Sequence, residues 1–177
     1  MTPAIFLDRD GTILEDHGVL TCAADVHFLP GVVEALQALK RRFRLFVLTN
    51  ESLVGKGTLT RQQVNLVNGH MLRELHRDGI CIEELYACPG AKGTCCKCHK
   101  PGSEFLVDAA QRYGLDITQS WTVGDHPHDA ELGRSAGGNG IVVLTGHGQK
   151  HRADVPKGVP VAFDLAEASR IMFAGMQ

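Results

Sequence analysis

Acidic, hydroxyl and amide side chains follow three short apolar runs of the sequence, at 4–7, 45–48 and 121–123. The polar groups are Asp8-Arg9-Asp10-Gly11-Thr12, Thr49-Asn50-Glu51-Ser52 and Gly124-Asp125. Each group taken alone fits an ordinary turn or helix cap, because these residue types are common there. If the runs are parallel strands, however, their carboxyl ends open on one crevice, and the three groups would meet in it.

Side chains of these types suit the transfer of a phosphoryl group. Asp8 and Asp125 would supply the oxygen ligands that Mg²⁺ prefers, and a cation would offset the repulsion between neighbouring carboxylates. The hydroxyls of Thr12 and Thr49 can donate hydrogen bonds to phosphate oxygens. Lys100 could neutralise charge that develops on the transferring group. A metal ion, a nucleophilic carboxylate and a lysine are the components of a reaction through an aspartyl-phosphate.

The apolar pattern predicts the elements that must position these groups. Continuous apolar runs favour strands covered on both faces, and further runs lie at 141–144 and, more weakly, at 82–87. Apolar residues at helical spacing occur at 32–39, 60–75, 105–113 and 130–136. Strands that alternate with helices predict right-handed βαβ units in one doubly wound α/β domain spanning residues 1–177.

Composition limits the classes of function. The chain has 177 residues, and its 18 basic and 20 acidic residues give a formal net charge of −2, which provides no positive field for nucleic acid. No apolar run approaches the roughly 18 to 20 residues of a membrane span, and the N-terminal residues lack a signal-peptide pattern. We therefore expect a monomeric, cytoplasmic protein whose partner is a small molecule rather than nucleic acid or a membrane.

Four of the six cysteines lie within eleven residues: Cys88, Cys95, Cys96 and Cys98. Three sulfurs in four residues cannot easily form separate disulfides without strain, and cytoplasmic thiols stay reduced. The segment 88–99 is therefore predicted to be a metal-binding loop. A loop of free thiols without metal is the simplest alternative.

The sequence around these residues resembles the haloacid dehalogenase superfamily of phosphohydrolases. The shared features are D-x-D-G-T after the first apolar run, T-N after the second, the lysine at 100, and G-D-x-x-x-D from 124. The segments 3–13, 16–18 and 49–52, with the cysteine segment before Lys100-Pro101, are similar more narrowly to the heptose bisphosphate phosphatases and the related histidinol-phosphate phosphatases. This resemblance, over roughly residues 3–147, implies a Rossmann-like fold with a mainly parallel sheet.

The resemblance also implies a catalytic role for each matching residue. Asp8 is expected to attack phosphorus, and Asp10 to protonate the leaving oxygen and then deprotonate the attacking water. Thr49 and Lys100 are expected to hold the phosphoryl oxygens. The expected Mg²⁺ ligands are the carboxylates of Asp8 and Asp125 and the backbone carbonyl of Asp10.

The resemblance implies a phosphorylated sugar as the substrate, and a heptose 1,7-bisphosphate is the first candidate. Only 40 residues separate Asp8 from Thr49, which leaves no room for a large cap domain. Short loops are therefore expected to bind the substrate, through Asp16, His17, Gly18, Asn50, Glu51, Ser52 and His99. Asp129 is expected to support Lys100 or the metal-bound waters from behind.

The sequence departs from the family pattern at three positions. Cys88, Cys96 and Cys98 match the family's zinc-binding cysteines, but Gly90 stands where the family has a zinc-binding histidine, so the resemblance implies structural Zn²⁺ with Cys95 as the fourth thiolate. Adjacent ligands at Cys95 and Cys96 are geometrically awkward, so His99 or a water is an alternative fourth ligand. At the other two positions, His99 stands where the family has an arginine, and His126 replaces a lysine. Histidine is shorter and only partly charged at neutral pH, so a second phosphate would be held less firmly. The other histidines near these residues are predicted to lie in polar or solvated loops: His128, His147 and His151.

Other functions compete with the sugar phosphatase. Within the enzyme class, the alternatives are a histidinol-phosphate phosphatase or a phosphatase of another small metabolite. A phospho-accepting receiver domain would carry its phosphorylated Asp on a middle strand, where this sequence has Thr49-Asn50. A zinc-stabilised interaction module on a degenerate phosphatase fold would be expected to lack Asp8, Asp10, Lys100 or Asp125, all of which are present.

Overall fold

The computed structural model describes residues 1–90 and 97–175 and contains one six-stranded sheet. The strands are β1 (Ala4–Leu7), β2 (Arg44–Asn50), β3 (Glu84–Cys88), β4 (Trp121–Gly124), β5 (Asn139–Val143) and β6 (Val161–Ala162). All neighbouring pairs are parallel, in the order β3-β2-β1-β4-β5-β6. The order reverses direction at β1, and such a switch point is where an open sheet forms a binding crevice.

The described part of the chain has seven α-helices. They are α1 (Val32–Leu39), α2 (Ser52–Gly55), α3 (Arg61–Arg77), α4 (Glu104–Tyr113), α5 (Pro127–Ser135), α6 (Gly148–His151) and α7 (Leu165–Ala174). Short 3₁₀ turns lie at Ala23–Asp25, Ile117–Gln119 and Arg152–Asp154. As the sequence predicts, a capping box begins α3: the Thr60 hydroxyl accepts from the backbone N–H of Gln63, and the Gln63 side chain returns to Thr60.

Helices cover both faces of the sheet, which explains the continuous apolar runs. Successive side chains of a strand point to opposite faces. In β1, Ile5 and Leu7 belong to the core beneath α1, α3 and α7, while Ala4 and Phe6 belong to the core beneath α4. All four of these residues are buried. Both faces therefore exclude water, and the polar side chains gather at the strand ends.

The register of the sheet brings the predicted polar groups together. Leu7, the last residue of β1, pairs with Val47 of β2 on one side and Val123 of β4 on the other. The next residues along these strands therefore reach the same edge. Asp8 follows β1 directly, and its backbone N–H donates to the carbonyl of Val123 at 2.8 Å.

The predicted α/β architecture is confirmed, with differences at its edges. Four elements of the structure were not predicted from the sequence, and they are two to ten residues long: β6, α2, α6 and α7. The predicted start of α5, at 130, is also too late. The helix begins at Pro127, and proline fits the first turn of a helix. None of the helices in the described ranges is both long and apolar enough to cross a membrane.

Helix α5 packs so closely on β5 that only a glycine fits at one contact. A Cβ at Gly140 would lie 2.4 Å from the backbone oxygen of Ala130, whereas a Cβ at Gly69, inside α3, would meet only an Arg73 nitrogen at 3.4 Å. We expect Gly140→Ala to lower the free energy of unfolding by about 1–3 kcal/mol. Gly69→Ala should raise it by roughly 0.5–1 kcal/mol, because alanine favours a helix.

Urea denaturation of both variants checks this pair of outcomes. Equal effects from Gly140→Ala and Gly69→Ala would contradict the close packing of α5 on β5.

Candidate active site

A crevice of about 300 Å³ opens at the carboxyl edge of the sheet. Its lining is polar: Asp8, Asp10, Asp16, Thr49, Asn50, Ser52, His99, Lys100, Asp125, His126, His128 and His147. The ends of β1, β2 and β4 supply Asp8, Thr49 and Asp125, and Lys100 comes from the segment before α4. The structure thus brings together most of the residues that the sequence analysis singled out.

A buried ammonium group lies between two carboxylates at the base of the crevice. The Nζ atom of Lys100 lies 2.5 Å from Oδ1 of Asp8 and 2.7 Å from Oδ1 of Asp129. Burial alone would lower the pKa of Lys100, but Asp129 and Asp8 raise it well above its ordinary value. Lys100 therefore stays protonated, and the pKa of Asp129 lies below its usual range because Lys100, His128 and the backbone N–H of His126 together outweigh the effect of burial.

The electrostatic balance is different at Asp8. Burial is the largest influence and raises the pKa of Asp8 to about 7, with Asp129 and Asp125 adding to the rise and Lys100 opposing it. One lysine does not compensate three neighbouring carboxylates. An ionised Asp8 therefore needs a further positive charge nearby.

The carboxylates of Asp8, Asp125 and Asp129 fit a divalent cation. Each offers an oxygen, and these oxygens lie within 4.8 Å of one another. Hard oxygen donors of this kind suit Mg²⁺. A cation held there would supply the charge that an ionised Asp8 lacks.

Two glycines hold Asp125 in place. Its Oδ2 atom is so close to the backbone that a Cβ at Gly11 would lie 2.3 Å away and one at Gly146 2.4 Å away. The backbone N–H of His147 donates to the same oxygen at 2.7 Å, and Nδ1 of His126 lies 2.6 Å from Oδ1. This last contact is the main reason that the pKa of His126 is raised.

A buried network fixes Asp10. Nε and Nη2 of Arg9 donate to the two carboxylate oxygens of Asp10 at 2.8 and 2.7 Å. Nη1 of Arg9 donates to Glu51 at 2.5 Å and to Asn68 of α3 at 2.7 Å. Arg9 is only 3% exposed, so this fork holds Asp10 from below.

His99 is fixed by both of its ring nitrogens. Nε2 lies 3.1 Å from the Ser52 hydroxyl, and Nδ1 lies 3.0 Å from the carbonyl oxygen of Lys100. The Asn50 side chain accepts from the backbone N–H of Lys100 at 3.0 Å and also approaches Nδ1 of His99 at 3.4 Å. The end of β2 thereby holds the segment that carries Lys100.

Three predicted substrate-binding residues do not line the crevice. Glu51 is buried against Arg9, and the exposed His17 pairs with Glu15 at 3.0 Å. The backbone N–H of Gly18 donates to Asp16 at 2.7 Å, which orders the loop that carries Asp16 into the crevice. The structure favours a positioning role for Glu51 and places His17 and Gly18 outside the crevice lining.

The predicted zinc site is partly described. Sγ of Cys88, at the end of β3, lies 2.7 Å from Sγ of Cys98, and both residues are buried. The structure therefore brings the two ends of the cysteine segment together. Cys95 and Cys96 lie outside the described residues.

Sequence reasoning missed the functions suggested by two positions. Arg9 lies between two candidate catalytic residues in the sequence. The only signal available was that successive side chains of an extended chain point in opposite directions, so Arg9 should point away from the side of Asp8 and Asp10. His128 and His151 were predicted to lie in loops, which is wrong: they lie in α5 and α6. His147 lies exposed in a turn, as predicted, but it also lines the crevice, with Nδ1 3.4 Å from Asp16. It does so because Gly146 and Gly148 let the loop after β5 pack against Asp125 and Val143.

Comparisons with known proteins agree with this geometry. Residues 97–168 match the HAD-hydrolase-like family model. The D-glycero-beta-D-manno-heptose-1,7-bisphosphate 7-phosphatase of Escherichia coli (strain K12) is 34% identical over 153 residues, with 81% of this chain and 80% of that protein covered. The D-glycero-alpha-D-manno-heptose-1,7-bisphosphate 7-phosphatase of Campylobacter jejuni is 33% identical over 136 residues, with 76% and 78% covered.

A solved structure extends the similarity to almost the whole chain. The D,D-heptose 1,7-bisphosphate phosphatase from B. bronchiseptica, complexed with magnesium and phosphate, superposes with a TM-score of 0.89 at 28% identity. The match covers 98% of this chain and 99% of that one. With this fold and a third of the aligned residues identical to those of the curated enzymes, the chain belongs to the haloacid dehalogenase-like phosphatases, in the family that contains the heptose bisphosphate phosphatases, and is a phosphoric monoester hydrolase.

Proposed function

We propose that the protein removes the 7-phosphate from D-glycero-D-manno-heptose 1,7-bisphosphate in a Mg²⁺-dependent reaction through an aspartyl-phosphate. The observation that carries the chemistry is the cluster of Asp8, Lys100, Asp125 and Asp129 at the base of the crevice. The names of relatives that cover four-fifths of the chain support the substrate. A polar, open crevice suits a phosphorylated sugar of moderate size.

Asp8 is the nucleophile in this proposal. One of its carboxylate oxygens attacks phosphorus, and the ester bond between phosphorus and the sugar oxygen breaks. The ammonium of Lys100, already 2.5 Å from Asp8, stays beside the phosphoryl group and offsets its charge. Asp129 keeps Lys100 in place from the buried side. Thr49, which lines the crevice, offers its hydroxyl to a phosphoryl oxygen.

Asp10 moves the protons. It gives a proton to the departing sugar oxygen, and it then takes a proton from the water that attacks the aspartyl-phosphate and frees Asp8. The fork of Arg9 holds Asp10 beside the crevice between these steps. Arg9 is therefore a positioning residue for the acid and base.

Mg²⁺, when bound, supplies positive charge to Asp8 and to the phosphoryl oxygens. The carboxylates of Asp8 and Asp125 and the backbone carbonyl of Asp10 would hold it. Zn²⁺ would be held by Cys88 and Cys98 together with Cys95 and Cys96. The Sγ atoms of Cys88 and Cys98 lie 2.7 Å apart, so two of the four proposed ligands are already neighbours. The single domain, the monomeric state and the cytoplasmic location remain predictions.

Asp8→Asn should abolish turnover and, in Mg²⁺-free buffer, stabilise the fold. The folded pKa of about 7 lies above the unfolded value, so the stability contributed by Asp8 is lost as the pH rises through about 4 to 7. Asparagine does not ionise, so the Asp8→Asn variant avoids that loss of stability. At pH 8 we expect the Tm to rise by on the order of 5 °C, with a smaller difference towards pH 5.

Thermal unfolding at both pH values measures this effect, with Asp116→Asn as the matched control. The Thr118 hydroxyl lowers the pKa of Asp116, so that substitution should lower the Tm at pH 8. A lower Tm for Asp8→Asn at pH 8 without Mg²⁺ would contradict the charge balance described here.

Arg9→Lys should slow esters with poor leaving groups more than activated aryl esters. Lysine cannot form the two-pronged contact with Asp10, so proton transfer suffers while attack by Asp8 is preserved. We expect kcat to fall roughly 10- to 100-fold for a sugar phosphate and less than about fivefold for an aryl phosphate. Asp10→Asn should show the same selectivity more strongly.

Steady-state kinetics on the two ester classes provide the measurement, and Arg112→Lys, an exposed substitution on α4, is the control. Uniform losses on both esters in Arg9→Lys would assign Arg9 a general structural role instead.

The substrate is tested by comparing kcat/KM for both anomers of the heptose bisphosphate with that for histidinol phosphate. We expect a preference for the bisphosphate of at least tenfold. His99→Arg should increase that preference, because a guanidinium binds a second phosphate in a fork where the imidazole cannot. A preference for histidinol phosphate would contradict this proposal and favour a histidinol-phosphate phosphatase instead.

A further inference from the structure

Four histidines cluster on the side of the crevice next to Asp125, and we refer to them as the histidine cluster: His126, His128, His147 and His151. The ring of His126 lies at the centre. Its centroid is 5.0 Å from that of His128, 5.4 Å from that of His147 and 4.8 Å from that of His151. Neither the proposed phosphoryl transfer nor the cysteine segment uses this grouping.

The fold brings these rings together from two strand ends. His126 caps the N-terminus of α5 after β4. His147 caps α6 after β5, and His151 is the last residue of that helix. Residues four apart in a helical turn lie on the same face, so His147 and His151 both face His126.

Three of these rings share a second feature, which is a carboxylate at Nδ1. Nδ1 of His126 lies 2.6 Å from Asp125, that of His147 lies 3.4 Å from Asp16, and that of His151 lies 3.3 Å from Asp154. Histidines that bind a metal usually donate their other ring N–H to a carboxylate or carbonyl oxygen. The Nε2 atoms of the three rings are left as the ligand atoms.

The spacing of the rings fits a shared ion. With a metal–nitrogen bond of about 2.0–2.1 Å, two imidazole centroids on one tetrahedral ion lie about 5 Å apart. The separations from His126 to His147 and His151 match this value. The centroids of His147 and His151 are 6.5 Å apart, so one of these two rings must turn slightly towards the ion. Ligand atoms of His126 and His147 lie within 4.8 Å of one another, in a group with an oxygen of Asp125, and His151 is the ring that must move to join them.

We propose that His126, His147 and His151 bind one transition-metal ion of the Zn²⁺, Co²⁺ or Ni²⁺ class. Imidazole nitrogens favour these ions, whereas Mg²⁺ favours the carboxylates of Asp8 and Asp125. Asp125 lies between the two sites and orients His126 through Nδ1. His128 stacks on His126. The site shares His126 and His147 with the crevice lining, but the proposal does not depend on which substrate the enzyme hydrolyses.

The test is a Co²⁺ titration of tag-free protein in excess Mg²⁺, followed by proton NMR. Each imidazole ligand of Co²⁺ should give one strongly shifted N–H signal that exchanges with D₂O, and we expect three. Thiolate ligands from the cysteine segment give shifted signals that do not exchange, so the two sites are distinguished in one spectrum. Turnover is not measured, so a failure of the phosphatase proposal would leave this result intact.

His151→Ala should remove one exchangeable signal and raise the Kd for Co²⁺ at least about tenfold. Asp154→Asn keeps the ring but weakens its orientation, and it should raise the Kd by roughly tenfold. His70→Ala, on α3 and outside the histidine cluster, should keep all three signals. The proposal is overturned if the wild-type protein shows no exchangeable shifted signal, or if His147→Ala and His151→Ala both bind Co²⁺ as the wild type does.

Discussion

The ammonium group of Lys100 between Asp8 and Asp129 is the interaction on which the site depends. Carboxylates from β1, β4 and α5 converge on one buried point because parallel strands end at the same edge of the sheet. Without a cation these like charges could not remain ionised together. Lys100 secures Asp129 but leaves the pKa of Asp8 near 7, and this imbalance is what a divalent ion would correct. The reactivity of Asp8 and the need for a metal thus have one electrostatic origin.

Beneath this charged layer, packing sets the positions. Gly11 and Gly146 bring bare backbone against Asp125, so its carboxylate cannot turn away. Arg9 is held by Glu51 and Asn68 and presents two nitrogens to Asp10. The proposed nucleophile and the proposed acid are two residues apart in the sequence but contact different cations: Asp8 contacts Lys100, and Asp10 contacts Arg9. The two carboxylates can therefore take different roles, with Asp8 proposed as the nucleophile and Asp10 as the acid and base.

The sequence could predict the parts of the site that depend on strand ends. Short apolar runs followed by Asp8, Thr49 and Asp125 indicate both the sheet and its active edge. It could not reveal Arg9, because the burial of an arginine depends on Asn68, which α3 brings in from 59 residues away. Nor could it predict the crevice position of His147, which follows from the fit of one loop against Asp125. Strand β6, with two residues, is too short to leave a periodic signal.

The claim that Asp8 carries the phosphoryl group is tested most directly by trapping the intermediate. Borohydride added during turnover reduces an acyl phosphate to an alcohol, which converts the aspartate that held it into homoserine. Peptide mapping by mass spectrometry then identifies the position. We predict homoserine at residue 8 and at no other carboxylate of the crevice. Homoserine at Asp10, Asp125 or Asp129, or an unmodified Asp8 in protein that is releasing phosphate, would contradict it.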